Sequence, residues 1–445
     1  MHATETTYAV ENTGARQRVL WLSTWSFTLL FAVWLMYGVL GIKIRDELSL
    51  TPSQLDWLLA TAILAGSLPR LHFGIWADRY GGRTIMLLLL LLVVIPTLWV
   101  SYASTYWEML ACAALFGLAG NAFTVGISWN SAWFPDQIKG TALGIFGAGN
   151  VGASLTKFLA PPLLAVIPAA GFAQGIIPGG WRFIPLVYAL LLLLTATAVW
   201  KLAPYPDRCP GQGRSRRSLY TPLRHLRVWR FSLYYVTVFG AYVALAAYLP
   251  KYYVDVYNLT LATAGYLTAL FIFPASLLRP LGGWLSDRYG PRCVTYGVFL
   301  TMTAALTLIC LPYHWFNPGV IGFTLLMFII GCAMGIGKGS VYKYIPNYFP
   351  NDVGAVGGMV GMLGALGGFI LPPLFGVLGR WLQSPQAAYL ILLLLTLVSL
   401  AWLHGTVVRI KLQSQLHALP QVISLPTSLA DVNNRSFPSP LPWQM

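Results

Sequence analysis

Long apolar runs separated by short polar breaks fill most of the chain. Twelve runs stand out, near residues 19–42, 54–76, 84–103, 107–133, 138–168, 182–203, 229–255, 261–284, 292–313, 318–345, 353–383 and 386–408. Each holds about 20 residues or more, the length an α-helix needs to cross a hydrocarbon core roughly 30 Å thick. The runs lack period-two alternation, so they predict helices and not barrel strands. The pairs Pro161-Pro162 and Pro372-Pro373 predict a kink or an end in the fifth and eleventh helices, because proline lacks an amide hydrogen and crowds the preceding turn. The expected fold class is an all-α polytopic membrane protein of twelve transmembrane helices. The polar breaks divide it into a tail at 1–18, a six-helix bundle at 19–203, a basic linker at 204–228, a second bundle at 229–408, and a proline-bearing tail at 409–445 expected to be disordered.

One break occurs twice. Gly74-x-x-x-Asp78-Arg79-x-Gly81-x-Arg83 follows the second run, and Gly283-x-x-x-Asp287-Arg288-x-Gly290-x-Arg292 follows the eighth. The offset, 279 − 70 counted from the arginine that opens each stretch, is 209 residues. Two copies at so long a period mark a duplicated half-protein and not a solenoid. The glycines allow a tight reversal into the next helix. Each aspartate can sit at the N-terminus of a neighbouring helix or pair with a basic side chain across the gap between bundles. Charge pairs that shut one mouth of the molecule are the preferred reading of Asp78, Arg79, Arg83, Asp287, Arg288 and Arg292.

Composition agrees with this picture. Hydrophobic residues make up 57% of the chain and charged residues 9%, against about 25% charged in soluble domains; mean hydropathy is +0.66. The formal charge of +15 sits mostly in tails and short loops: Arg16 and Arg18, the two motif loops, seven arginines between 208 and 230, then Arg409 and Lys411. With twelve spans all of these fall on one side. That side is expected to be cytoplasmic, with both termini inside the cell membrane. No basic surface interleaved with aromatics lies outside the apolar runs, so nucleic acid is not an expected partner. The five cysteines are scattered without a CxxC pair and read as small packing residues. No metal or cofactor site is expected, and the first dozen residues do not form a cleavable signal.

Arg70 lies eight residues before Asp78, roughly 12 Å of helix at 1.5 Å per residue, and Arg279 stands at the same depth before Asp287. An arginine at mid-bilayer costs at least about 2.5–3.5 kcal/mol, so each must face a partner or a polar cavity. The thirteen acids lie in loops or at span ends. Two central guanidiniums without a carboxylate form a site for an anion, and the planar fork of arginine suits a planar oxyanion. Small residues at i±4 (Gly66 and Gly74; Ala275 and Gly283) are expected to leave room around them. Lys157, Lys338 and Lys343 add positive character, and His72 is a candidate proton relay or a packed gate residue. The glycine runs at 144–152 and 357–368 read as helix-packing ridges, with Asn150 placed to bond a substrate. No soluble output domain or nucleophile with its base is present, so the expected activity is transport and not catalysis.

The duplicated loop resembles the signature of the major facilitator superfamily, which implies two pseudo-symmetric six-helix bundles rocking about a midplane site. The strings Arg70-Leu-x-x-Gly-Ile-Trp-x-Asp78, Trp133-Phe134-Pro135 and Gly147-Ala-Gly149-Asn150-x-Gly152, with one arginine each in helices two and eight, resemble the nitrate/nitrite porter family, the NarK type. That resemblance implies that Arg70 and Arg279 clamp nitrate or nitrite, that Phe123, Tyr235 and Phe239 sandwich the flat anion, and that the chain works as a monomer in the bilayer. Antiport and proton symport both stay open, since Lys157, Lys338 and His72 depart from the family pattern. Another small organic or phosphorylated anion is the alternative substrate.

Overall fold

The computed structural model describes residues 2–418 apart from 155, 157–162, 164, 165, 169, 173–176, 216–219, 313, 314, 384 and 385. Among these residues, eleven helices are long and apolar enough to cross a membrane. They are α1 Thr13–Leu48, α2 Pro52–Tyr80, α3 Gly82–Val100, α4 Tyr106–Trp133, α6 Gly180–Leu202, α7 Leu226–Tyr257, α8 Thr263–Tyr289, α9 Pro291–Cys310, α10 Gly319–Tyr348, α11 Val353–Leu382 and α12 Ala388–Gln413. Between α4 and α6, α5 runs Lys139–Gly147 and tightens into a 3₁₀ turn at Ala148–Val151. Lys157, Pro161 and Pro162 of the fifth expected span lie outside the described residues. The chain through Ala401 forms one compact unit and the chain from Trp402 onward another.

Helix ends follow local chemistry. Thr51 and Thr105 close capping boxes with Gln54 and Glu108, satisfying free amide hydrogens at the starts of α2 and α4. Gly81 (φ 88°) and Gly290 (φ 81°) end α2 and α8, in a backbone region that a side chain would strain. Two expectations are corrected. α11 continues through Pro372 and Pro373 to Leu382, so of the expected kink or end the prolines do not end the helix. The last helix runs to Ala418, so residues 409–418 are helical and not part of a disordered tail.

A further feature of α2 and α8 leaves no mark in the hydropathy of the chain. Both α2 and α8 are interrupted halfway, into Pro52–Ser67 and Arg70–Tyr80, and into Leu261–Leu277 and Arg279–Tyr289. Each arginine opens the second segment. Pro69 has no amide hydrogen for the Ala65 carbonyl, and Asn121 Nδ2 reaches that oxygen at 3.4 Å.

The halves meet backbone to backbone where α2 crosses α11 and α5 crosses α8. A Cβ added at Gly358 would stand 2.7 Å from the Arg70 carbonyl oxygen, and one at Gly144 would stand 2.7 Å from that of Arg279. Small residues permit this approach. The crossing helices thereby hold both arginines at the seam.

Candidate functional site

Arg70 and Arg279 are among the largest fully buried side chains, each 1% exposed. Arg70 Nε donates to Gly66 O (2.8 Å) and Nη1 donates across the seam to Gly361 O of α11 (3.1 Å). Arg279 Nη2 donates to the Tyr235 hydroxyl at 3.3 Å. Its guanidinium lies against Gly147 of α5, where any Cβ would collide with it. Each arginine therefore reaches a glycine of the opposite half. Arg70 Nη2 and Arg279 Nε and Nη1 are buried without a hydrogen-bond partner. Among the described residues neither arginine has an ion pair.

Aromatic faces complete the setting. The two guanidinium carbons lie 5.8 Å and 4.7 Å from the Phe123 ring centroid, so this ring of α4 stands beside both cations. Phe123 and Tyr235 are nearly parallel, with centroids 6.4 Å apart and planes within 6°; Tyr235 stacks on Phe239 at 5.0 Å. The expected aromatic trio is thus gathered at the arginines. Two more aromatics belong to it. Trp34 of α1 stands 5.1 Å from Arg70, and Tyr342 of α10 stands 5.5 Å from Arg279 while donating to Gly357 O. Tyr342 lies one turn from Lys338, the spacing that could have flagged it. Asn150 is buried with Nδ2 unpartnered.

Other expectations change. The small residues at i±4 of Arg70 make room for neighbours and not for the guanidinium: Gly66 faces Trp34, and Gly74 faces the Gly354 backbone. On the far side of the seam, Gly147 leaves space for the Arg279 guanidinium, and Gly361 leaves space for the Tyr342 hydroxyl beside Arg70. His72 is exposed, with Trp76 and Tyr220 nearby. Two residues along the helix turn it about 200° from Arg70, so it does not share the face that carries the guanidinium. Lys157 lies outside the described residues. Lys338 is fully buried, its Nζ unpartnered and 3.3 Å from the Tyr242 ring centroid.

The duplicated motif builds one closed face. The Asp78 carboxylate accepts from Ser128 Oγ (2.6 Å), from Gly354 N (2.9 Å) and from Ala355 N (3.2 Å), at the first turn of α11. Asp287 accepts from Gly140 N (2.9 Å) and Thr141 N (2.6 Å), at the first turn of α5. Each aspartate therefore caps a helix of the other half, where free amide hydrogens and the helix dipole favour a carboxylate. Expected cross-seam charge pairs are replaced by these caps. Lys343 pairs with Asp287 at 2.7 Å, inside the same half, and bonds the Asp136 carbonyl across the seam. Arg83 bonds Trp200 O at 2.7 Å, and Arg292 bonds the Tyr348 hydroxyl; both stay within their halves. Arg79 lies over Tyr80, and Arg288 over Trp284 and Tyr289. In the neighbouring loop, Lys139 donating at 2.7 Å holds the Asp136 carboxyl below the usual carboxylate range. The linker crosses this face. Asp207 accepts from Arg83 N (2.8 Å) and Trp133 Nε1 (2.9 Å), and Arg214 pairs with Asp352 at 2.6 Å, just before α11.

Comparison with known proteins returns one family. The model of the Major Facilitator Superfamily matches residues 22–372 and 257–437. A "Probable nitrate/nitrite antiporter NarK1" of Thermus thermophilus is 56% identical over 416 residues, 90% of this chain and 94% of its own. A "Nitrite extrusion protein" of Bacillus subtilis is 30% identical across 81% of this chain and 86% of its own. Among solved structures, the proton:xylose symporter XylE superposes with a TM-score of 0.69 at 14% identity, covering 88% of this chain and 96% of its own. The human organic anion transporter MFSD10 gives 0.68 at 15% identity, covering 87% and 99%. Those two structural likenesses concern the fold alone.

Proposed function

The chain belongs to the major facilitator superfamily and, within it, to the nitrate/nitrite porters, and from that membership we propose that it exchanges nitrate for nitrite across the cell membrane by alternating access. The observation that carries the reading is the pair of buried arginines, one from each half, with three unpartnered nitrogens and no ion pair among the described residues. A planar oxyanion offers acceptors in the plane where a guanidinium offers donors. Its flat faces suit the parallel Phe123 and Tyr235 rings. A monovalent anion is less costly to dehydrate than a divalent one.

The basic loops on the motif face support a cytoplasmic assignment for that face and for both termini. The protein then acts as a monomer in the bilayer, closed toward the cytoplasm by the Asp78 and Asp287 caps. Exchange is favoured over proton symport because no carboxylate or histidine among the described residues pairs with the arginines. An empty site would have to reorient with two uncompensated buried charges, a state several kcal/mol costlier than the loaded one on the scale of about 3–5 kcal/mol for an orphaned buried charge.

Proteoliposomes preloaded with nitrite, or with no permeant anion, test this at two pH gradients. The expected result is labelled-nitrate uptake only into nitrite-loaded vesicles, unaltered by the gradient. Uptake into empty vesicles driven by an inward proton gradient would replace exchange with symport. Failure of excess nitrite to compete, with a carboxylate or phosphate competing instead, would replace the substrate.

A further inference from the structure

Among the described residues, the arginine pair leaves a buried cation, Lys338, without a role. Lys338 of α10 has no exposed surface, and its ammonium makes no hydrogen bond. The ring of Tyr242 from α7, 3.3 Å away at its centroid, and that of Phe239, 5.8 Å away, stand over it. Tyr242 is held by a hydroxyl contact to Ser276 of α8 at 3.0 Å. Lys338 stands at the depth of Arg279: a Cβ on the adjacent Gly339 would run into the Arg279 carbonyl oxygen. The Tyr235–Phe239 stack touches both cations, with Arg279 bonded to the Tyr235 hydroxyl and Lys338 beside Phe239.

We propose that Lys338, with Phe239 and Tyr242, forms a second anion station, which takes the same class of small monovalent oxyanion as the arginine pair and shares one aromatic stack with it. The inference rests on the anion-exchange reading above. An ammonium carries three donors, and a ring face satisfies them only through its quadrupole. An oxyanion entering between Lys338 and Tyr242 would replace that contact with charge-assisted hydrogen bonds. A guanidinium at one residue of the stack and an ammonium at the other give an incoming anion a place to wait while the outgoing one occupies the arginines, as exchange requires.

Titration calorimetry of the purified full chain with sodium nitrate tests the proposal. Two sites are expected, the weaker at least tenfold weaker than the stronger. Lys338→Met should keep the stronger site and lose the weaker, and Lys338→Arg should retain both. Lys338→Met removes an unpartnered buried charge, so it should melt no lower than the parent; a melting curve separates loss of a site from misfolding. Two sites in Lys338→Met would overturn the proposal. So would a single parental site, including one that Lys338→Met weakens, since Lys338 would then belong to the arginine site. A parent that binds no nitrate at all would overturn both this inference and the exchange reading.

Discussion

The two arginines are placed alike but tied differently, and the difference has consequences at single residues. Arg70 spends Nε and Nη1 on carbonyls and keeps Nη2 unpartnered, whereas Arg279 keeps both Nε and Nη1. Replacement by lysine preserves charge and removes the fork. Losing one charge-assisted hydrogen bond to the anion costs about 1.5–3 kcal/mol, so nitrate exchange should fall by at least roughly 10- to 100-fold in either variant. Arg279→Lys should be the more severe, and initial rates of counterflow would show it. Equal, parent-like rates in both would remove the arginines from the substrate. Gly147→Ala adds one methyl where the Arg279 guanidinium lies. It should cut exchange at least tenfold while leaving the melting temperature of the protein within a few degrees, because the crowded group is a side chain with other rotamers. Gly361→Ala should be milder: its Cβ would stand 3.6 Å from Arg70 Nη1, although 2.8 Å from the Tyr342 hydroxyl.

At the level of elements, the paired crossings α2–α11 and α5–α8 carry the site and the closed face together. The glycine runs of α5 and α11 were legible in the sequence as packing ridges, but which helices they meet was not. The breaks before Arg70 and Arg279 were not legible. A proline beside an arginine within an apolar run gives the same hydropathy whether the helix bends or stops. The partners of Asp78 and Asp287 were half legible: helix N-termini and basic side chains both attract a carboxylate, and only the distances across the seam choose between them. The choice predicts a specific defect. Asp78→Asn keeps the shape of the cap and loses its charge, weakening three charge-assisted bonds to Ser128, Gly354 and Ala355. A weakened cap costs about 0.5–2 kcal/mol, enough to raise the open population on that side roughly two- to thirtyfold. Thiol labelling of a cysteine placed at buried Ile75, applied from the motif face, should accelerate correspondingly. Labelling no faster than in the parent background would mean that the cap does not hold the face closed.

At the level of the whole molecule, the site exists only while the halves are in register. Arg70 is bonded to α11 and Arg279 is packed on α5, so any rocking that opens the motif face must pull each guanidinium from the other half's glycine. On the proposed reading, an anion held by both arginines would bridge the two halves. Among the described residues no carboxylate pairs with either arginine, so in that reading the substrate would supply the balancing negative charge. Ile75 of α2 and Ala355 of α11 pack together on the motif face, which allows the rocking to be stopped without touching the arginines. A disulfide formed between cysteines at these two positions should abolish exchange, and reduction should restore it. Nitrate should still bind from the opposite face of the cross-linked protein, with affinity within about twofold of the reduced form, since the linkage fixes an arrangement in which the arginines already meet. Loss of binding along with exchange would show that the anion needs the motif face open to enter, and the direction assigned to this closed face would reverse.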